Sequence, residues 1–180
     1  MKDYVKLGKF LSLILRHKPE EIGIVLDPHG WADVPEILQG MKISMEDLEY
    51  IVENNNKKRY SFNEDKSKIR ANQGHSRSLH IDLELKEKIP PAVLFHGTKR
   101  QFLGKILEQG LKPMQRDHVH LSDNVQTAKI VSDRRKGESV LLQVDAARMV
   151  KDGQKFYLSE NNVWLTEKVS PEYLSVKEFK

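Results

Sequence analysis

Cysteine is absent from all 180 residues. That excludes disulfide staples, thiolate catalysis and cysteine-based zinc sites. No apolar run approaches the ~20 residues that a membrane-spanning helix needs. The opening residues Met1-Lys2-Asp3-Tyr4 are polar and charged, so no secretory signal is expected. A large excess of one charge sign is missing as well. The net charge is +4; residues 1–90 carry 15 basic and 15 acidic side chains, and residues 91–180 carry 15 and 11. Bulk charge therefore does not by itself predict a nucleic-acid partner. Basic character is local, in Lys57-Lys58-Arg59, in Lys66, Lys68 and Arg70, and in Arg134-Arg135-Lys136. With 38% hydrophobic and 31% charged residues, the chain has the composition of one ordinary domain or two small lobes. A cytoplasmic enzyme or binding protein is the expected class.

In the first half, Leu7, Phe10, Leu11, Ile14 and Leu15 recur at helical spacing and predict an amphipathic helix. It should stop at Arg16-His17-Lys18-Pro19, because the residue before a proline disfavours helical geometry. Arg16 and His17 read either as helix-end cations opposing the macrodipole or as a grip for phosphate. Asp27-Pro28-His29-Gly30 signals a turn before Trp31, and Asp33 and Pro35 mark the start of a short helix. Ser44-Met45-Glu46-Asp47 resembles a capping box ahead of Leu48, Ile51 and Val52. Arg59 to Phe62 and Ser67 to Ala71 predict two short strands around Asn63-Glu64-Asp65. Short helices followed by a basic hairpin suggest a winged-helix lobe. Gln73-Gly74-His75-Ser76 is polar and turn-like, and either forms a ligand loop or simply leaves the hairpin.

Ile89-Pro90-Pro91 marks the best boundary, since paired prolines stiffen the chain and do not suit a central strand. The expected lobes are residues 1–88 and 89–180. In the second, Val93-Leu94-Phe95 predicts a strand leading into His96-Gly97-Thr98, and Phe102, Leu103, Ile106 and Leu107 predict a helix ended by Gly110. A further helix is expected after Ser122, around Ala128 and Ile130-Val131. Strands are expected at Val140 to Val144, Phe156 to Leu158, Val163 to Thr166 and Tyr173 to Phe179. The fold class is α+β, a compact second lobe whose irregular connections can form a ligand cleft.

The stretch Gln115-Arg116-Asp117-His118-Val119-His120-Leu121-Ser122-Asp123-Asn124 is the densest in candidate chemistry. If it is extended, Arg116, His118 and His120 share one face, and Ser122-Asp123-Asn124 passes into a helix N-terminus. Nitrogen donors beside a helix N-terminus suit a phosphate-bearing ligand. Histidines also suit zinc, but no H-E-x-x-H helix and no carboxylate at ligand spacing accompany these, so no metal is expected.

Several segments together resemble the tRNA (RNA) 2′-phosphotransferase family. They are Leu15-Arg16-His17-Lys18-Pro19, Gly30-Trp31, Lys58-Arg59-Tyr60, Ile69 through Ser76, His96-Gly97-Thr98, Arg116 with His118 through Ser122, and Asn162 through Thr166. They stand in family order across nearly the whole chain. Tyr60 replaces a common phenylalanine, and Asn162 a common glycine. The resemblance implies a winged-helix lobe holding the RNA phosphate and an ADP-ribosyltransferase-like lobe binding NAD, which is consumed. It implies that an internal 2′-phosphate, as left at a tRNA splice junction, is transferred to NAD. The products would be RNA with a 2′-hydroxyl, ADP-ribose 1″,2″-cyclic phosphate and nicotinamide. By the same resemblance Arg16, His17, Arg59 and Arg116 form the catalytic group. His96, Gly97, Thr98, His120, Leu121, Ser122 and Val163 contact NAD, and no obligate protein partner is implied. His17 is either a phosphate ligand or a proton donor. The apolar Val163 stands where related ADP-ribosyltransferases often carry a glutamate, whose charge would repel the incoming phosphate. Two other readings remain open: an ADP-ribosyltransferase that stops after the first step or modifies nucleic-acid ends, and an RNA- or ADP-ribose-binding module without turnover.

Overall fold

The computed structural model describes residues 1–179; Lys180, the last residue of the second expected lobe, lies outside them. The chain divides into two compact units, Met1–Glu84 and Leu85–Lys180.

The first unit begins with α1 (Tyr4–Arg16), N-capped by Asp3, whose carboxylate accepts from the Lys6 N–H. The predicted apolar stripe faces inward: Leu11, Ile14 and Leu15 are fully buried, and Leu7 and Phe10 pack on the same core. Each such buried aliphatic side chain contributes about 1.5–3 kcal/mol. α1 ends at Arg16, and Pro19 opens a short 3₁₀ turn, Pro19–Ile22. After β1 (Ala32–Asp33) come α2 (Val34–Met41) and α3 (Met45–Glu53). Ser44 and Asp47 form the reciprocal capping box expected from their spacing. Asp47 is nearly buried and also accepts from the Tyr4 hydroxyl and Lys2, so it is held ionised well below the usual carboxylate range, the Lys2 bond being the largest cause. Asp33, expected as a cap, stands at the N-cap of α2 but makes no side-chain capping bond. The hairpin of β2 (Tyr60–Phe62) and β3 (Lys68–Ala71) completes an antiparallel sheet of order β1-β3-β2. Ile69 and Ala71 project from it into the core beneath α1.

The second unit carries two three-stranded antiparallel sheets. β4 (Val93–Lys99) is longer than its apolar core predicts, because the strand continues through His96-Gly97-Thr98. After α4 (Arg100–Gln109) come β5 (Val119–Leu121) and α5 (Val125–Asp133). β6 (Ser139–Asp145) leads directly into α6 (Ala146–Lys151), a helix without a sequence expectation. β7 (Phe156–Leu158), β8 (Trp164–Thr166) and β9 (Leu174–Lys177) follow. The sheet orders are β4-β6-β9 and β5-β8-β7. The central strand β6 contributes Val140, Leu141, Leu142 and Val144, all buried, as its continuous apolar run requires. The two sheets are stitched where Phe95 and Ser122 exchange both backbone hydrogen bonds at 2.8 Å. Together the two units form an α+β chain.

One expectation is corrected. Residues 115–118 do not extend β5; only Val119, His120 and Leu121 are in strand. Met114 adopts a left-handed φ of 60°, and the Arg116 N–H closes a turn on the Pro113 carbonyl at 3.1 Å. The alternating face drawn through Arg116, His118 and His120 therefore does not exist as a strand face.

Candidate active site residues

In the first unit, α1 carries Arg16 and His17 to a loop sixty residues on. Arg16 is the last helical residue, and its carbonyl is one of the helix-end acceptors without an intrahelical partner. The Ser76 N–H donates to it at 2.8 Å. The Arg16 side chain is only 8% exposed and lies along Gly74, whose position would bring a Cβ within 3.5 Å of the guanidinium carbon. Gly74 holds a φ of 88°, a conformation that L side chains rarely adopt, so glycine is required there. The His17 Nδ1 and Ser76 Oγ are hydrogen bonded at 2.7 Å.

His75 completes this cluster. It is 3% exposed, and neither ring nitrogen finds a hydrogen-bond partner among the described residues. Burial, then the charges of Arg16, His17 and Arg70, lower its pKa from 6.5 to about 4. The ring is neutral at pH 7 and adds no charge beside Arg16. Arg70 stacks on Trp31 with its guanidinium carbon 4.4 Å from the ring centroid. Gln73, His75 and Ser76 lie in the segment that sequence marks as a possible ligand loop, although none of them is among the site residues the resemblance implies.

A pH effect follows. Below pH 6.5 the unfolded chain takes up the His75 proton first, so this contribution to stability is complete above that pH. It is lost as pH falls toward about 4, by about 3 kcal/mol in all. Thermal melts of wild type and His75→Asn between pH 7 and 4 should show a shallower pH slope in the variant, whatever its absolute stability. Parallel slopes would contradict this assignment.

Arg59 stands at the entry to β2, held by its main chain. Its N–H donates to Asn55 Oδ1 at 3.1 Å, and its carbonyl accepts from Asn72 N–H at 2.8 Å. Buried Asn72 also donates to the Lys58 carbonyl at 2.6 Å and accepts from Ser61 Oγ at 2.7 Å. It thus clamps a turn in which Lys58 is left-handed, with φ 44°. Arg16 and Arg59 both act electrostatically on the buried Tyr60 phenol, whose pKa is nevertheless raised, chiefly by burial. The Tyr60 hydroxyl donates to the Gly8 carbonyl at 2.9 Å, so tyrosine at this position gains a tie to α1 that phenylalanine lacks.

In the second unit, the Phe95–Ser122 bridge brings β4, which carries His96, against β5, which carries His120. His96 Nδ1–H donates to the His120 carbonyl at 3.0 Å, which leaves Nε2 as the acceptor of the neutral ring. Burial lowers the His96 pKa, against the opposing effect of that bond, so the ring stays neutral at pH 7. Leu121, the neighbour of Ser122, pairs with Trp164, the neighbour of Val163. The turn before β5 curls Arg116 back so that its Nη1–H donates to His120 Nδ1 at 2.9 Å. A guanidinium can only donate, so His120 accepts through Nδ1. Arg116 and His120 are therefore brought together by a turn rather than by strand alternation. Desolvation and then the like charge of Arg135 lower the Arg116 pKa, although its ordinary value keeps it charged. His118 meets the Tyr157 ring edge-on at 5.6 Å, a scaffold contact.

Two predicted ligand residues have structural work. Leu121 is 2% exposed and its side chain lies in the core. Gly97 lies under α5: a Cβ there would stand 2.1 Å from the Ala128 carbonyl oxygen. The neighbouring Thr98 carbonyl accepts from Ser132 Oγ at 2.8 Å, which ties α5 to β4. Asn162 takes a left-handed φ of 61° in the turn before Val163, where Ser159 Oγ accepts from the Val163 N–H. Asparagine tolerates that conformation and glycine adopts it without strain. Asn162→Gly should therefore leave the melting temperature within about 3 °C of wild type. A larger drop would mean that the side chain carries more than the turn.

Among the described residues, no group of three or more His, Cys, Asp or Glu side chains is placed to hold a metal ion. Among them also, no helix is long and apolar enough to cross a membrane.

One cluster thus joins Arg16, His17 and Ser76 in the first unit, and the other joins His96, His120 and Arg116 in the second. The family model described as RNA 2′-phosphotransferase, Tpt1 / KptA family, matches residues 2–168. A protein of Fusobacterium nucleatum named "Probable RNA 2′-phosphotransferase" is 52% identical, over 97% of this chain and 99% of that protein. Proteins of the same name from Flavobacterium johnsoniae and Trichormus variabilis are 52% and 48% identical, each over 94% or more of both chains. The chain belongs to the RNA 2′-phosphotransferase family of transferases.

Proposed function

We propose that this protein is an NAD-dependent RNA 2′-phosphotransferase acting on an internal 2′-phosphate, such as that left at a tRNA splice junction. In this reading the first unit is a winged-helix lobe that holds the RNA phosphate. The second is an ADP-ribosyltransferase-like lobe that binds NAD. The protein works in the cytoplasm, without an obligate protein partner. The observation that carries the reading is the cluster of Arg16 and His17, held in register by the loop Gln73–Ser76.

In the first step a 2′-phosphate oxygen attacks the C1″ of the NAD ribose. The C1″–N bond breaks and nicotinamide leaves, giving RNA-2′-phospho-ADP-ribose. In the second, the ribose 2″-hydroxyl gives up its proton as its oxygen attacks phosphorus, and the P–O2′ bond breaks. The RNA leaves with a 2′-hydroxyl after taking up a proton, and ADP-ribose 1″,2″-cyclic phosphate remains. The phosphate is already an anionic nucleophile, so the first step asks for orientation and charge neutralisation rather than a strong base. Arg16, Arg59 and Arg116 supply guanidinium forks suited to phosphate oxygens, and His17 is a further donor to them. His17 is also the group able to give the proton that the leaving 2′-oxygen needs.

The second unit's donor set fits a dinucleotide. His96 presents an Nε2 acceptor suited to a ribose hydroxyl, and Ser122 offers a further hydroxyl. Val163 adds no negative charge where the phosphate must approach. Gly97 and Thr98 contribute backbone to this wall and keep α5 against it.

Incubation with NAD and a 2′-phosphorylated oligoribonucleotide should release nicotinamide and yield 2′-hydroxyl RNA. Without either product the enzymatic reading fails. An RNA–ADP-ribose adduct that persists at the end of the reaction would instead identify an enzyme that stops after the first step.

A further inference from the structure

His17 is separated from Ser76 by 59 residues, yet Ser76 makes two bonds to the proposed catalytic pair. Its hydroxyl lies 2.7 Å from His17 Nδ1, and its N–H donates to the Arg16 carbonyl at 2.8 Å. We propose that Ser76 is a positioning residue: it aims the His17 imidazole while its backbone locks the end of α1, so that the loop sets the geometry of the phosphate grip. This rests on the reading that Arg16 and His17 act on the RNA phosphate.

The choice of serine has a chemical reason. A hydroxyl can donate to Nδ1 or accept from it. It therefore supports His17 both as a neutral ring and as an imidazolium. A carboxylate at this place would favour the cation alone, and alanine would favour neither. The loop is built to hold the hydroxyl where it stands. Gly74 takes the left-handed turn against the Arg16 guanidinium, and buried His75 anchors the segment, its Nε2 lying 3.1 Å from where a Cβ on Gly30 would sit. Ser76 then begins the 3₁₀ turn Arg77–Leu79 as its N-cap residue, but its side chain makes no capping bond and is given to His17 instead.

Ser76→Ala deletes the hydroxyl and keeps the N–H, so the bond that finishes α1 survives. It should slow single-turnover conversion of a 2′-phosphorylated oligoribonucleotide about 10- to 100-fold. The Kd for NAD should stay unchanged, and the melting temperature should move by about 4 °C or less. Ser76→Thr, which restores the hydroxyl, should recover most of the rate. Nitrogen-15 NMR of the His17 ring should show its Nδ1 and Nε2 shifts displaced in Ser76→Ala and near wild type in Ser76→Thr. The NMR comparison needs no turnover, so it judges the Ser76–His17 coupling even if the protein proves inactive on this RNA. Unmoved His17 shifts in Ser76→Ala would overturn the proposal, whatever the rate. So would a loss of rate that is equal in the alanine and threonine variants and accompanied by a large fall in melting temperature.

Discussion

Arg59→Ala is expected to bind NAD as wild type does and to stall with RNA-2′-phospho-ADP-ribose on the enzyme. The Arg59 main chain is held by Asn55 and Asn72, and these bonds do not involve its side chain. Truncation beyond Cβ should therefore leave the β2 entry intact. What is lost is a guanidinium directed, in the proposed mechanism, at phosphate oxygens. Charge builds on those oxygens when the 2″-hydroxyl attacks phosphorus, so the second step should suffer most. Loss of one such donor slows a step by about 10²–10³. Rapid-quench analysis of RNA carrying a labelled 2′-phosphate would show the adduct rising and persisting. His96→Ala should behave oppositely, weakening NAD binding without accumulation of adduct. Equal losses of NAD affinity in the two variants would contradict this division of labour.

Gly97→Ala is expected to disrupt the second unit. The added Cβ would meet the Ala128 carbonyl oxygen at 2.1 Å and Ser132 Cβ at 2.8 Å. The first of these is backbone, so no rotamer change relieves it. α5 would have to lift from β4, which breaks the Ser132–Thr98 bond and uncovers buried Ala128. A destabilisation of about 3 kcal/mol or more is expected. The two tryptophans report on the units separately: Trp31 belongs to the first, and Trp164 lies in the core of the second. Denaturant unfolding followed through each, in Trp31→Phe and Trp164→Phe backgrounds, should show the Trp164 transition moving to lower denaturant. An unchanged Trp164 midpoint would mean that α5 can yield without cost.

The elements that periodicity predicts are those whose stability is local. α1 is legible because Leu7, Phe10, Leu11, Ile14 and Leu15 repeat at helical spacing, and β6 because its apolar run exceeds what a solvated strand would carry. The capping box at Ser44 and Asp47 is legible because both partners lie within one turn. The missed features are set by distant parts of the chain or by backbone geometry. Arg116 reaches His120 through a turn made by the left-handed Met114, a residue type that gives no warning of positive φ. Gly97 looks like a ligand glycine in sequence, but its lack of a Cβ is demanded by a helix that starts 28 residues later. α6 is too short for its spacing to stand out. The site residues named by resemblance could be listed from sequence, but the groups that hold them could not. Ser76, His75 and Asn72 act through contacts that no local pattern encodes.

In the proposed reaction phosphorus moves from RNA to an ADP-ribose product. The most direct measurement follows a labelled 2′-phosphate on an oligoribonucleotide incubated with NAD and the protein. The label should leave the RNA only when NAD is present and appear in ADP-ribose 1″,2″-cyclic phosphate, with one nicotinamide released per phosphate transferred. Label appearing as inorganic phosphate, or leaving the RNA without NAD, would contradict the account.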